Sequence, residues 1–247
     1  MTKIIIDKIA CDLDGVAYDF GGFLNKRAIP HFEKKGKEEI EPLKFDVQDR
    51  FDCTEKEAKE FWYKYIWEYA WLSKLNPDFK DVYNYLAKNG FELPIITARA
   101  HASKNNWQGK IQRSAVEFNL KLNGLKKNQI IYCDEKNTPE EKFRTMQKLG
   151  VNALIDDSFD NCKKVADNGL IAFLYNQPWN STEQLNGTNI IRVNNAYQVL
   201  ENIYNLSNSE KIVGFDYDKL SKDKFEKSKE IKLSTDKIHK ICKKIAK

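Results

Sequence analysis

No apolar stretch in this 247-residue chain approaches the roughly 20 residues that a membrane-spanning helix requires, so no membrane partner is expected. The opening Met-Thr-Lys runs straight into a strand-like apolar pattern. It lacks the long apolar segment and small-residue cleavage site of a secretion signal, so a cytoplasmic location is expected. Cysteine is sparse and unpaired. Cys11, Cys53, Cys133, Cys162 and Cys242 form an odd set with no Cys-x-x-Cys spacing, which argues against a disulfide scaffold or zinc site and fits a reducing compartment. No donor-nucleotide motif such as Gly-x-Gly-x-x-Gly is present, which counts against a magnesium-dependent Asp-x-Asp transferase. A charge bias is also missing from most of the chain. The net charge of +5 resides in residues 208–247, where 12 Lys face 7 acids; the other residues balance 29 Lys+Arg against 29 Asp+Glu. That tail reads as a solvated helix or chain end, with contact to nucleic acid as the other reading. Its last part, 235–247, has Ile238, Ile241, Cys242 and Ile245 at the spacing of an amphipathic helix.

What is present is an alternation. Short apolar runs at 4–11, 93–97, 129–133, 151–155, 170–175 and 189–193 predict strands, several of them rich in β-branched residues. Helical periodicity fills the intervals at 78–89, 105–119, 139–149 and 160–168, and 197–206 reads as a closing helix. The rhythm predicts an α/β fold, a Rossmann-like parallel sheet flanked by helices. Residues 20–76 interrupt it with helical sequence and no convincing strand. Thr54-Glu55-Lys56-Glu57 is a capping box. It opens a helix to Leu72 that carries Phe61, Trp62, Tyr63, Tyr65, Trp67, Tyr69 and Trp71, too many aromatics for one buried face. Asn76-Pro77-Asp78 is expected to end it. The expected organisation is an α/β core of 1–19 and 77–207, a helical cap of 20–76 inserted after the first strand, and a lysine-rich tail of 208–247.

Four places carry chemistry, each at the C-terminal end of a predicted strand, where open parallel sheets bind ligands. Asp12-Leu13-Asp14-Gly15 aims two carboxylates into one small volume, since residues i and i+2 of a strand share a face. Such a pair is unfavourable unless a proton or a hard cation such as Mg²⁺ is shared. Thr97, closing Ile95-Ile96-Thr97, sets a hydroxyl beside a turn whose backbone N–H groups can hold an oxyanion. Thr138-Pro139-Glu140-Glu141 reads as a helix start with a capping box, which puts Lys142 in the first turn. The helix dipole disfavours a lysine there, and an anion would compensate it; Lys136 in the preceding loop is the rival. Asp156 and Asp157 end the strand before a helix, either as metal ligands or as N-cap residues.

The ordered set Asp-x-Asp-Gly, Thr, Lys, Asp-Asp, each on its own βα unit, resembles the haloacid dehalogenase (HAD) superfamily of phosphohydrolases over roughly residues 4–195. The run Asp12 to Phe20, the helical insertion, Ile96-Thr97-Ala98-Arg99, Ile155-Asp156-Asp157-Ser158 and Tyr175-Asn176-Gln177-Pro178-Trp179-Asn180 are similar to bacterial members of its 5′(3′)-deoxyribonucleotidase family. The lysine-rich tail is not part of that pattern. The resemblance implies Asp12 as nucleophile, Asp14 as general acid and base, and Mg²⁺ held by the Asp12 carboxylate, the Asp14 carbonyl and Asp156. It further implies Thr97 and Lys142 on the phosphate, Asp157 steadying Lys142 or a metal-bound water, and Phe20 and Trp62 in the substrate pocket. The implied substrate is a small phosphomonoester, a nucleoside monophosphate first, with a sugar phosphate or a polynucleotide end as the alternatives.

Overall fold

The computed structural model describes residues 6–99, 101–125, 129–185 and 188–206. The tail of 208–247, with its amphipathic segment, lies outside the described residues, as do Ile4 and Ile5 of the first apolar run. Six parallel strands form one sheet: β1 (Ile9–Cys11), β2 (Ile95–Thr97), β3 (Ile130–Tyr132), β4 (Ala153–Asp156), β5 (Ile171–Tyr175) and β6 (Ile190–Val193). Their order is β3-β2-β1-β4-β5-β6. Each strand falls within or against one of the six apolar runs. They are short because the sheet is covered on both faces and each strand ends where polar residues begin.

The pleat sorts their side chains. Ile9, Cys11, Ile95, Ala153, Ile155, Ile171 and Phe173 enter one apolar cluster, with α4 (Pro77–Lys88), α5 (Trp107–Leu122) and α8 (Ala196–Leu206). Ala10, Ile96, Leu154, Ala172 and Leu174 enter the other, with α6 (Thr138–Leu149) and α7 (Phe159–Asp167). This strict alternation is the period-2 rule of a strand applied to a two-faced sheet.

After β1 come α1 (Phe20–Glu33), α2 (Val47–Phe51) and α3 (Glu55–Leu72), and no strand among them. The capping box opening α3 is formed: Glu57 accepts from the Thr54 N–H at 2.8 Å, and Thr54 accepts from the Glu57 N–H at 3.3 Å. The helix stops at Leu72, earlier than Asn76-Pro77-Asp78. That triplet opens α4 instead, with Pro77 in its first turn, where its missing N–H is no loss.

The start of α6 also differs from expectation. A 3₁₀ turn over Glu135–Asn137 leads into it, so the helix begins at Thr138 and no capping box forms there; the Thr138 hydroxyl donates to the Glu135 carbonyl at 3.1 Å. Lys142 is thereby the fifth helical residue, past the first turn. Among the described residues no helix is long and apolar enough to cross a membrane.

Candidate active site

The sheet reverses its winding between β1 and β4: from β1 the chain moves outward to β2 and β3, then returns to β4 and proceeds the other way. Such a switch point leaves a crevice at the strands' C-terminal ends. Ala10 pairs with Leu154 and Cys11 with Ile155, and the Asp12 N–H continues the ladder to the Ile155 carbonyl at 2.8 Å. Asp12 and Asp156 therefore stand side by side, with the same parity as Ala10 and Leu154. That parity faces α6 and α7, and α6 supplies Lys142.

Lys142 Nζ donates to Asp12 Oδ1 at 2.7 Å and to Asp156 Oδ2 at 2.6 Å, and all three side chains are buried. The charge of the lysine is answered by two carboxylates. Lys136 is exposed on the 3₁₀ turn and stands outside the cluster. The helix after β4 is capped by Ser158, which accepts from the Asn161 N–H at 3.4 Å, so Asp156 and Asp157 are free of that duty. Asp156 is fixed by the Ser158 N–H at 2.9 Å and the Asn161 amide at 3.1 Å. Asp157, expected to steady Lys142 or a metal-bound water, has Trp179 as its side-chain partner. Its Oδ2 accepts from Trp179 Nε1 at 2.9 Å, because the turn after β5 brings the indole over it.

Asp12, Asp156 and Asp157 each offer an oxygen within 4.8 Å of the others. Three buried carboxylates against one ammonium, which bonds two of them, leave a surplus of acidic groups. Burial, with the neighbouring charges of Asp156 and Asp14, pushes the Asp12 carboxyl up to about 7 against the pull of Lys142. Burial, followed by Asp12 and Asp156, likewise raises Asp157 well above the usual range. Burial opposes the charge on Lys142, but Asp12 and Asp156 outweigh it and hold the lysine protonated. All-oxygen donors with an unbalanced negative charge fit a hard divalent cation.

Asp14 points elsewhere. Arg99 grips it with two bonds, Nε to Oδ2 at 2.8 Å and an Nη to Oδ1 at 2.5 Å, and the Tyr69 hydroxyl donates to Oδ1 at 2.5 Å. Burial and the Asp14 charge raise the Tyr69 phenol, so it keeps the proton it donates. The Arg99 guanidinium lies 4.6 Å from the Tyr69 ring centroid and 5.2 Å from that of Tyr18, an aromatic seat suited to a cation. Sequence reasoning assigns a role to neither Arg99 nor Tyr69. The signal for Arg99 is its place just after Thr97; for Tyr69, one aromatic among seven on α3, there is none. Thr97 closes β2, buried, two residues past Ile95, the register partner of Cys11.

Gly15 makes the close approach feasible. Its φ is +77°, and a Cβ there would lie 2.1 Å from Asp157 Oδ2 and 3.1 Å from the Trp179 ring. Its carbonyl accepts from Gln177 Nε2 at 2.6 Å, and Asn180 Nδ2 donates to the Asp157 carbonyl at 2.7 Å, so the segment after β5 ties the two acidic loops together. Phe20 follows Asp19, which caps α1 through the Gly22 N–H at 2.8 Å. Phe20 is only 3% exposed. Its ring stacks with Phe45 (centroids 4.7 Å) and Trp62 (6.2 Å) and meets the edges of Tyr69 and Trp179. The expected pocket pair therefore comes together, but Phe20 is covered.

No family model matches the chain, and no curated protein is similar to it in sequence. Solved structures do match in fold. A HAD family hydrolase from Deinococcus radiodurans, with bound phosphate and sodium, superposes with a TM-score of 0.54 at 14% identity, covering 81% of this chain and 97% of its own. A haloacid dehalogenase-like hydrolase from Streptococcus pneumoniae gives 0.52 at 16% identity, covering 80% and 98%. A candidate phosphatase from Clostridium difficile gives 0.54 at 16% identity, covering 81% and 100%. The fold of this chain is that of the HAD-like hydrolases.

Proposed function

We propose that the chain is a Mg²⁺-dependent phosphomonoesterase working through an aspartyl-phosphate, with nucleoside monophosphates, deoxy forms especially, as substrates. The observation that carries this reading is the buried Asp12–Lys142–Asp156–Asp157 cluster at the switch point, with a second, separately held carboxylate, Asp14, two residues from Asp12. The likeness of fold to hydrolases and phosphatases supports it.

Asp12 attacks phosphorus: an Asp12 O–P bond forms as the bond to the leaving oxygen breaks, splitting one difficult step into two. A proton taken up from solvent on Asp14 passes to the leaving alkoxide, and Asp14 then removes one from the water that cleaves the acyl phosphate, releasing phosphate and restoring Asp12. Both Asp14 oxygens are engaged by Arg99 and Tyr69, so it reaches the substrate by exchanging one of those donors for the leaving oxygen. Lys142 and Thr97 hold the non-bridging oxygens, and this positioning with fixed charge supplies much of the acceleration. The Asp12, Asp156 and Asp157 carboxylates, with the Asp14 carbonyl, would hold Mg²⁺, which when bound neutralises charge on the phosphoryl group and aligns it with Asp12. Helices α1–α3, within 20–76, serve as the cap, and Phe20 and Trp62 belong to its aromatic wall.

The test is a phosphate-release screen over nucleoside monophosphates and hexose phosphates, with and without Mg²⁺. Turnover that needs Mg²⁺, favours nucleotides and vanishes in Asp12→Asn is expected. Hexose phosphates winning by tenfold would remove the nucleotide assignment alone. Full activity of Asp12→Asn in excess EDTA would remove the mechanism.

A further inference from the structure

Resting on the nucleotide reading above, we infer that Phe45 is a built-in occupant of the base-binding slot, a protein ring that stands where the ring of the substrate stacks and leaves when it arrives. Phe20 is the aromatic nearest in sequence to the proposed nucleophile after Tyr18, yet it is sealed. Phe45 lies nearly parallel to it, 25° between planes at 4.7 Å, which is the geometry of offset stacking. Phe45 also meets Trp179 edge-on at 5.3 Å, and Trp179 bonds Asp157 of the acidic cluster. The slot therefore lies two contacts from the acidic cluster, Phe45 to Trp179 and Trp179 to Asp157.

Phe45 differs from the other rings of this wall. Phe20 is buried and Trp62 and Trp179 are half-buried on regular elements or turns, whereas Phe45 is 46% exposed on the segment between α1 and α2. That short segment also exposes Ile40 and Leu43, a concentration of apolar side chains that folding alone does not call for. Its ends are fastened, and its tip is a single turn closed by the Lys44 N–H donating to the Glu41 carbonyl at 2.9 Å. The Ile40 and Glu41 N–H groups donate to the Arg50 carbonyl at 2.9 and 3.3 Å. Buried Arg50 pairs with Glu39 and donates to Asn25 at 2.6 Å. Asp46 caps α2 through the Gln48 N–H at 2.8 Å. Between these anchors, Pro42 to Phe45 lies outside helix and strand, so the Phe45 ring can swing away without unmaking either anchor. A nucleobase replaces it face for face, and because every base has a π-face, the slot selects a ring without selecting which base.

Equilibrium binding of thymidine, a nucleoside with no phosphate, tests this by calorimetry on wild type, Phe45→Ala and Phe45→Trp. Emptying the slot in Phe45→Ala is expected to tighten thymidine binding about tenfold, the low end for one base–aromatic stack. The larger ring of Phe45→Trp is expected to weaken it below wild type. Unchanged or weaker binding in Phe45→Ala would overturn the proposal, weaker binding marking Phe45 as a clamp on the base. Wild-type hydrolysis of β-glycerophosphate with Mg²⁺, measured alongside, keeps the two readings apart. Hydrolysis without the binding pattern sinks the slot alone, and the binding pattern without hydrolysis sinks the phosphatase.

Discussion

Replacing the proposed nucleophile by its neutral isostere is expected to make the metal-free protein more stable while abolishing its turnover. Asp12 shares a buried volume with Asp156 and Asp157, and Lys142 is the cation that bonds into it among the described residues. Its carboxyl is moved from 3.8 to about 7, chiefly by burial. For an acid raised in the folded state, the native protein binds more protons than the unfolded chain between those two values. Stability therefore falls as pH rises through that window and levels off above about 7. At about 1.4 kcal/mol per pH unit, the raised carboxyl costs the native state on the order of 4 kcal/mol at pH 8, where it is ionised, and under about 2 kcal/mol at pH 5, where folding protonates it. The amide introduced by Asp12→Asn carries no such cost and can still accept from Lys142. Urea unfolding of EDTA-treated wild type and Asp12→Asn at both pH values measures it. The variant should be the more stable at pH 8, and its advantage should shrink at pH 5. Saturating Mg²⁺ should raise wild type more than the variant, since ligand binding to the native state adds to stability. A variant less stable than wild type at pH 8, or a difference independent of pH, would refute the charge-surplus account.

Lys142→Met strands the buried carboxylates, and a loss of about 3–5 kcal/mol of stability is expected without metal, read as a lower melting temperature that Mg²⁺ partly restores. Asp14→Asn should slow the first-turnover phosphoryl transfer from alkyl phosphates by roughly 10²–10⁴-fold yet spare much of the first-turnover release of p-nitrophenol from p-nitrophenyl phosphate, whose leaving group needs no proton; equal losses in the two first turnovers would contradict the acid role. Tyr69→Phe removes one of three donors on Asp14, and a fall in kcat at nearly constant KM is expected, with about 1 kcal/mol of stability lost; a change confined to KM would move Tyr69 to substrate binding. Gly15→Ala forces a side chain into the left-handed region and onto Asp157, so soluble protein should be inactive and several degrees less stable in a thermal melt.

The parts of the candidate site legible in the sequence are those fixed by their own βα unit. Asp12 and Asp156 each end an apolar run, and a parallel sheet brings such ends to one edge whatever their separation. Lys142 stands out in the sequence for a reason that the fold revises: it is past the first turn of α6, and its charge answers Asp12 and Asp156. What stays hidden depends on how distant elements pack. Tyr69 and Arg99 reach Asp14 across 55 and 85 residues, and nothing in either neighbourhood encodes that meeting. Phe20 and Trp62 lie in a stretch with more aromatics than one buried face can use, which is a sign of a pocket wall. Composition cannot show that Phe45 covers Phe20, because that contact is set by the anchors of the α1–α2 segment.

The place of β1 has a consequence for how the chain comes into being. This three-residue strand lies in the middle of the sheet, and its partner β4 follows about 140 residues later, so at 5–20 residues per second the ribosome delivers that partner about 7–30 s after it. Until then Ile9 to Cys11 waits as an uncovered apolar edge, and the site made at its tip cannot exist. Bringing Asp12 and Asp156 together is thus a late event of biosynthesis, governed by long-range strand pairing, which is slow. A nascent chain cut off before Ala153 would carry Asp12 but lack the strand beside which it stands.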